Sequence, residues 1–233
     1  MLLALWSPKG GSGTSVVAAA LALVSAARGE TRLADFAGDQ PAILGLPPLT
    51  SLATLVDWLA AGPSTPTEWL DDMAIPVVPG LALLPGGPGA GAASPEAGAA
   101  LAVALRDGGV TVVDGGSGAD GVDGAARAVV DVADLALMVI RPCYLALRRA
   151  VADPRLGSSA GAILVADPGR ALGADDVAAV LGLPVVGRVP VRSEIARAID
   201  AGVLLDHLPA PLATAAGSVL DRLAGLANGR WAA

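Results

Sequence analysis

The sequence predicts an α/β protein in which a mostly parallel β-sheet is covered by helices on both faces, giving three layers. Short aliphatic runs of strand length alternate with longer segments of helical spacing along most of the chain. Several of the short runs are apolar at every position, as from Leu135 to Ile140, which is typical of strands buried on both faces. Ligands bind such sheets at the carboxyl ends of the strands, so a site is expected in the loops that follow them.

Glycine, proline and polar residues bound the predicted elements. The predicted strands cover residues 2–7, 31–36, 75–78, 81–84, 110–114, 135–140, 162–165 and 185–189. The predicted helices cover residues 14–28, 51–61, 95–106, 122–131, 144–153, 174–181, 192–201 and 211–227. Ser51 is the expected N-cap of the second helix and Gly62 its expected end, because a hydroxyl caps free amides and glycine tolerates a left-handed turn.

The composition is that of a folded, aliphatic and acidic protein. Hydrophobic residues make up 54% of the 233 positions and charged residues 16%, which excludes disorder over most of the length. The alternating pattern runs through the chain, so residues 1–233 are expected to form a single domain. The net charge of -7 argues against nucleic acid and anionic membranes as partners, since both attract a surplus of lysine and arginine.

Metal-binding and membrane-spanning classes find little support. Cys143 is the only cysteine and His207 the only histidine, which excludes an internal disulfide, a cysteine-based zinc site and a multi-histidine site. The longest apolar stretch, residues 16–27, contains Ser25 and is shorter than the ~20 residues that a membrane span needs. The first residues lack the basic segment of a signal peptide. We therefore expect a cytoplasmic protein.

A glycine-rich loop joins the first predicted strand to the first predicted helix. It reads Ser7-Pro8-Lys9-Gly10-Gly11-Ser12-Gly13-Thr14-Ser15. Glycines let successive amide groups point inward at an anion, and the helix N-terminus adds partial positive charge. Lys9 is the only lysine of the chain. A solvated loop lysine is the alternative, but its place in this loop favours an ammonium that faces phosphate or a second subunit.

The segment Lys-Gly-Gly-Ser-Gly-Thr-Ser resembles the deviant Walker A motif K-G-G-x-G-K-S/T of the ParA/MinD ATPases. Those proteins are P-loop NTPases with a Rossmann-like three-layer fold. Other segments resemble the same family, so that the likeness spans about residues 1–205. They are residues 32–37 with a switch I acid, 81–86 with Leu-Pro-Gly, 110–114 with a switch II aspartate, 133–142 and 181–190. The TadZ/CpaE group and the septum-site-determining proteins are the branches of the family that the likeness suggests.

The resemblance implies a site for ATP or ADP with Mg²⁺ and a dimer that encloses the nucleotide. Lys9 and Asp35 are the candidate catalytic residues, with Lys9 reaching the phosphates across the dimer. Ser15 and Asp114 are the candidate Mg²⁺ residues, one through its hydroxyl and the other through its carboxylate. The candidate nucleotide-binding residues are Lys9, Gly10, Gly11, Ser12, Gly13, Thr14 and Ser15.

Two departures from the family pattern predict a degenerate site. Thr14 stands where the family has a second lysine that neutralises the β- and γ-phosphates. Ala37 stands where a second switch I acid positions the attacking water, and Asp39 would replace it only in a reshaped loop. Because phosphoryl transfer depends on positioning and charge neutralisation, we expect weak nucleotide binding or none, and slow hydrolysis or none. A neighbouring arginine such as Arg141 is a possible replacement cation.

Structural roles are the alternative interpretation of several features. Asp35 and Asp114 are also suited to capping turns at strand ends. Four arginines, at positions 141, 148, 149 and 155, form a cluster that is either a solvated face or a partner or DNA surface. The C-terminal helix carries an apolar stripe without a basic face, which favours packing in the core or in a dimer over membrane binding.

Three functions compete on these observations. The favoured one is a dimeric positioning or assembly factor with weak or absent ATP hydrolysis, acting with an unidentified protein partner in pilus or secretion machinery localisation or in septum or chromosome positioning. The alternative is an active partition-type ATPase that dimerises with ATP on DNA or membrane. A metal- or cofactor-loading P-loop enzyme is the third, and the scarcity of cysteine and histidine argues against it.

Overall fold

The computed structural model describes residues 1–49, 53–90, 93–117 and 124–228. Its strands form one eight-stranded sheet in the order β3-β4-β2-β5-β1-β6-β7-β8. The strands are β1 (Leu2–Ser7), β2 (Thr31–Asp35), β3 (Ile75–Val78), β4 (Leu81–Leu84), β5 (Val110–Ser117), β6 (Leu135–Ile140), β7 (Gly161–Ala166) and β8 (Val185–Pro190). All neighbouring strands run parallel except β3 and β4. The predicted α/β fold with a mostly parallel sheet is therefore confirmed.

Ten helices occur among the described residues. They are α1 (Thr14–Ala26), α2 (Gln40–Leu44), α3 (Leu55–Ala61), α4 (Glu68–Met73), α5 (Pro95–Ala104), α6 (Ala125–Val132), α7 (Tyr144–Ala152), α8 (Ala174–Leu181), α9 (Ser193–Asp200) and α10 (Ala210–Asn228). A 3-10 turn (Pro154–Ser158) joins α7 to β7. None of the helices in the described part of the chain is both long and apolar enough to cross a membrane.

The sheet buries side chains on both faces, which gives the three predicted layers. Successive residues of β1 point to opposite sides, as strand geometry requires. Leu2 and Trp6 pack with residues of α3, α5, α6, α7 and α8 on one face. Leu3 and Leu5 pack with residues of α1, α2, α9 and α10 on the other. The apolar stripe of α10 thus lies in the core, against α1 and β8.

The elements that the sequence did not predict are short or depend on tertiary contacts. Helices α2 and α4 have five and six residues, too few to leave a periodic pattern. The second predicted helix begins later than expected, with Thr54 in the N-cap position and Asp57 completing a capping box. The predicted cap Ser51 lies outside the described residues. Strand β5 runs three residues past Asp114, because it continues to pair with β1 as far as Ser117.

Candidate functional site

A cavity of about 410 Å³ opens where the loop after β1 meets the ends of its neighbouring strands. Strand β1 lies between β5 and β6, at the point where the strand order reverses direction, and this is where open α/β sheets bind ligands. The described residues that line the cavity are Ser7, Gly10, Gly11, Ser12, Gly13, Thr14, Ser15, Val16, Phe36, Ala37, Asp39, Ile43, Gly89, Gly115, Gly116, Ser117, Ala126 and Arg155. All the predicted nucleotide-binding residues except Lys9 are among them.

The loop between β1 and α1 holds a conformation that requires glycine. Gly11 and Gly13 have φ angles of 74° and 90°, in the left-handed region that residues with a Cβ atom disfavour. The hydroxyl of Ser12 donates to the carbonyl oxygen of Lys9 at 2.7 Å, and the hydroxyl of Ser7 donates to the same oxygen at 3.1 Å. These two hydrogen bonds join both sides of the loop to the carbonyl of Lys9, so the shape of the loop does not depend on a bound ligand.

The loop leaves backbone amides available to an anion. Among the described residues, no amide from Gly10 to Gly13 donates to a backbone carbonyl. The first turn of α1 adds further free amides, because the first intrahelical bond there runs from the amide of Val17 to the carbonyl of Gly13. Such a concave array of donors at a helix N-terminus fits phosphate. The residues present therefore suit the phosphates of a nucleotide.

Lys9 lies at the rim of this cradle. Its ammonium donates to the carbonyl oxygen of Gly10 at 3.3 Å in an exposed position, and its side chain is not part of the cavity lining. The positive charge of Lys9 therefore does not enter the cradle of its own subunit.

Thr14 stands inside the cavity, where the family motif has a lysine. Its side chain is 5% exposed and lines the cavity beside Ser15. A hydroxyl donates and accepts hydrogen bonds but carries no charge. The loop itself thus presents amides and hydroxyls to the cavity but no cation.

Two buried carboxylates lie side by side on neighbouring strands, where Asp35 at the end of β2 is the register partner of Asp114 within β5. Asp35 accepts hydrogen bonds from the amides of Ala37, Gly38 and Gln40, at 3.1, 2.7 and 3.0 Å. It thereby shapes the segment between β2 and α2. The turn-capping role left open by the sequence is present at Asp35, and the catalytic role stays a prediction.

Asp114 is held by donors that face the loop. Its carboxylate accepts from the side-chain amide of Gln40 at 2.8 Å and from the amide of Gly116 at 3.1 Å. The same Gln40 amide donates to the carbonyl oxygen of Ser15 at 2.9 Å, so it ties the first turn of α1 to β5. Gln40 is fully buried, and its Oε1 has no hydrogen-bond partner among the described residues. No sequence signal marks Gln40, because α2 is too short to leave a periodic pattern.

Burial dominates the acidity of this pair. It raises the pKa of Asp35 to about 7, and the charge of Asp114 acts in the same direction, while the amides of Gly38 and Gln40 oppose it. Burial likewise raises the pKa of Asp114, against hydrogen bonds from the side chains of Ser15 and Gln40. A proton or a cation shared by the two carboxylates would relieve their repulsion.

The residues present fit a Mg²⁺ ion that binds together with phosphate. The described residues contain no group of three or more histidine, cysteine or acidic side chains able to hold a metal by themselves. Mg²⁺ commonly takes one or two protein oxygens and fills its octahedron with phosphate oxygens and water. Ser15 in the cavity wall and Asp114 behind it offer that pair of oxygen donors.

The switch segment after β2 places an alanine and an acid at the cavity. Ala37 and Asp39 both line it, and both are exposed. Asp39 lies close enough to raise the pKa of both buried carboxylates through its charge. The segment therefore brings Asp39 to the cavity wall, beside Ala37.

Arg155 lines the cavity, whereas its sequence position predicted a place on the surface. The sequence grouped it with arginines 141, 148 and 149 as a solvated face or partner surface, and for Arg155 that grouping is wrong. Its side chain is 2% exposed and lines the cavity. Arg141, the expected replacement cation, is not among the lining residues. The predicted site residues all follow strands, whereas Arg155 precedes one, in the turn leading into β7.

Comparisons with known proteins agree with this fold. No protein-family model matches the sequence, and no curated protein matches it. A ParA family ATPase from Chlorobium tepidum TLS superposes with a TM-score of 0.75 at 22% identity, covering 95% of this chain and 98% of that one. The MinC:MinD cell division protein complex of Aquifex aeolicus gives a TM-score of 0.76 at 21% identity, with 96% of each chain covered.

A third structure carries a nucleotide. The septum site-determining protein MinD of Pyrococcus horikoshii OT3, complexed with Mg-ADP, gives a TM-score of 0.76 at 19% identity and covers 99% of each chain. These neighbours are ParA/MinD family ATPases, and the chain has their fold over nearly its whole length. The resemblance inferred from the sequence motifs is thus confirmed at the level of the fold.

Proposed function

We propose that this chain is a ParA/MinD-like P-loop protein that binds ATP or ADP with Mg²⁺ weakly, hydrolyses ATP slowly or not at all, and acts as a dimeric positioning or assembly factor. The cradle of amides after β1 supports phosphate binding. The proposal treats residues 1–233 as one domain working in the cytoplasm. Positioning of pilus or secretion machinery and positioning of the septum or chromosome are the roles that it includes.

The observation that carries the proposal is the buried hydroxyl of Thr14 in the cavity wall. A triphosphate carries several negative charges, and a neutral hydroxyl does not offset them. The loss of one charge-assisted contact in a desolvated site costs about 1.5–3 kcal/mol, or roughly 10- to 100-fold in affinity. The alanine at position 37 adds a second deficit, since no carboxylate stands there to orient the attacking water.

Restoring the missing charge tests this proposal. Binding of ATP and ADP with Mg²⁺ is measured by calorimetry, and turnover by phosphate release, for the wild type, Thr14→Lys and Thr14→Gln. The glutamine variant is the matched control, because it has length and hydrogen bonds but no charge. We expect Thr14→Lys to bind ATP at least about tenfold more tightly, and Thr14→Gln to give no gain. Brisk hydrolysis by the wild type would sink the proposal.

Asp39 favours a second candidate, an active partition-type ATPase that dimerises with ATP on DNA or membrane. Its carboxylate lines the cavity two residues after Ala37 and is exposed, so it is available to orient water. This candidate requires that Asp39→Asn abolish ATP turnover in a wild type that turns over readily. It also requires retention on DNA that weakens as salt is raised, or binding to vesicles. The net charge of -7 argues against both surfaces.

Partners are proposed from the same likeness. The Aquifex aeolicus neighbour was solved as a MinC:MinD complex, and the Pyrococcus horikoshii neighbour was solved with Mg-ADP. We infer a homodimer and a separate protein partner for this chain. The exposed ammonium of Lys9 at the cavity rim supports a role across such a dimer.

A further inference from the structure

The cavity contains one positive charge among its described lining residues, and it does not come from the glycine-rich loop. Arg155 lies in the 3-10 turn between α7 and β7, and its side chain lines the same cavity as Gly10 to Ser15. The ammonium of Lys9 is turned to the carbonyl of Gly10 outside that lining, and Thr14 is neutral. Arg155 is therefore the group placed to neutralise an anion bound within this subunit.

Arg155 is fixed in place by partners on two sides. Its Nε and Nη2 donate to Oδ1 and Oδ2 of Asp153 at 3.0 and 2.7 Å, a bidentate pair. Its guanidinium lies over the ring of Trp6, 4.2 Å from the ring centroid. Trp6 in turn donates from Nε1 to the hydroxyl of Ser159 at 3.0 Å, and that hydroxyl donates to the carbonyl of Arg155. Hence the guanidinium needs little ordering before it binds a ligand.

The guanidinium keeps donor capacity for a ligand. Its Nη1 makes no hydrogen bond within the described residues, while Nε and Nη2 are engaged by Asp153. Burial would raise the pKa of Asp153, but the hydrogen bonds and charge of Arg155 outweigh it and hold that pKa below its usual value. The pair is thus charged, and a polyphosphate entering the cavity would meet a cation that is already desolvated.

We propose that Arg155 is a phosphate-binding residue, which supplies from the turn before β7 the positive charge that the loop lacks at Thr14. Its ligand is the polyphosphate end of a nucleoside di- or triphosphate, so the inference rests on the proposed function. A purely structural ion pair is the competing explanation. The two explanations predict different effects of Asp153→Asn on ligand affinity. They also predict different results when Thr14→Lys is combined with Arg155→Gln.

The experiment titrates ATP with Mg²⁺, and inorganic tripolyphosphate separately, into the wild type and into variants that unfold at comparable temperatures. For Arg155→Gln we expect roughly 10- to 100-fold weaker binding of both ligands. For Asp153→Asn we expect binding several-fold tighter than in the wild type, because the guanidinium loses its neutralising partner. A structural pair predicts no gain from Asp153→Asn, and that result overturns the inference.

Two further variants keep the test decisive if Arg155→Gln does not fold. Arg155→Lys retains the charge without the bidentate fork and should retain most of the affinity. Thr14→Lys combined with Arg155→Gln should restore binding, since a cation returns to the cavity. Arg28→Gln is the matched control: it breaks the exposed Arg28–Asp221 pair between the end of α1 and α10, outside the cavity lining, and should leave affinity unchanged.

The outcomes separate the inference from the proposed function. Unchanged affinity in Arg155→Gln with a wild type that binds ATP overturns the inference and leaves the nucleotide site standing. Binding of tripolyphosphate but not ATP, lost in Arg155→Gln, supports the inference and overturns the nucleotide function. A wild type that binds neither ligand overturns both.

Discussion

Asp35 illustrates how one buried side chain combines a local task with a tertiary environment. Its two oxygens accept from three amides of the segment that leads into α2. The same carboxylate is fully buried next to Asp114, in the pairing of β2 with β5. The hydrogen bonds from the amides favour the charged form of Asp35, and burial next to Asp114 favours the neutral form. Burial has the larger effect, because the pKa of Asp35 rises to about 7.

This shift predicts the pH dependence of stability in the absence of ligand. An unfolded Asp35 titrates near 3.8 and the folded one near 7, so the folded state holds its proton where the unfolded state has released it. The stabilisation is complete below the unfolded pKa and is lost as pH rises through the folded pKa. The free energy of unfolding should fall by about 2–3 kcal/mol between pH 4.5 and 7.5, as measured by urea denaturation.

Asp35→Asn should flatten much of that slope, because the amide does not titrate. Part of the slope should persist, since burial also raises the pKa of Asp114. Asp72→Asn, at an exposed position on α4, is the control and should keep the wild-type slope. A wild-type protein that is more stable at pH 7.5 than at pH 4.5 would contradict this account.

Helices α5 and α6 pack closely against each other at Gly98. A Cβ atom at Gly98 of α5 would lie 2.5 Å from the Cα atom of Ala125 in α6, which real Cβ atoms do not approach. Helix α6 begins at that contact. The position of α6 beside the cavity, where Ala126 forms part of the wall, therefore depends on a missing side chain.

Two glycine-to-alanine changes in helices should have opposite effects. Alanine in place of glycine stabilises a helix by up to about 1 kcal/mol when nothing obstructs it. Gly217→Ala in α10, where the nearest atom is Nη2 of Arg28 at 3.8 Å, should raise the free energy of unfolding by about that amount. Gly98→Ala should lower it by about 1–3 kcal/mol because the helices must separate. Urea denaturation measures both, and equal effects would disprove the close packing.

The whole sheet assembles the site from segments far apart in sequence. Parallel strands end at the same edge, so the loop after β1, Asp35 after β2 and Asp114 in β5 converge there. The turn before β7 adds Arg155 from another direction, with its guanidinium over the ring of Trp6. The ammonium of Lys9 is exposed and lies outside the cavity lining.

Lys9→Ala should therefore affect assembly more than folding. The only hydrogen bond of its side chain among the described residues is an exposed one to Gly10, so the free energy of unfolding should change by less than about 0.5 kcal/mol. Sedimentation with ATP and Mg²⁺ should show a weaker dimer than in the wild type, and Lys9→Arg should restore it only in part. A dimer of wild-type strength in Lys9→Ala would remove the case for a contact across subunits.

Much of the fold was predictable because its signals are local. The doubly apolar strands, the glycine loop between β1 and α1, and the acids that follow apolar runs are all visible in residue type and spacing. In the structure the glycine loop lines the cavity, while Asp35 and Asp114 are fully buried near it. Helix α2 and the extension of β5 to Ser117 were not predictable. Each is stabilised by contacts with distant segments, which short-range patterns do not report.

The chemistry of the site divides in the same way. The order of residues in the loop was enough to predict a phosphate cradle and to mark Thr14 as a neutral residue within it. Nothing in the linear pattern distinguishes Arg155 from its exposed neighbours Arg148 and Arg149, and nothing marks Gln40 as the bridge between Ser15 and Asp114. Burial and pairing depend on packing in three dimensions. Since desolvation determines how strongly a charge acts, the packed molecule sets which arginine faces the cavity and which carboxylates keep their protons.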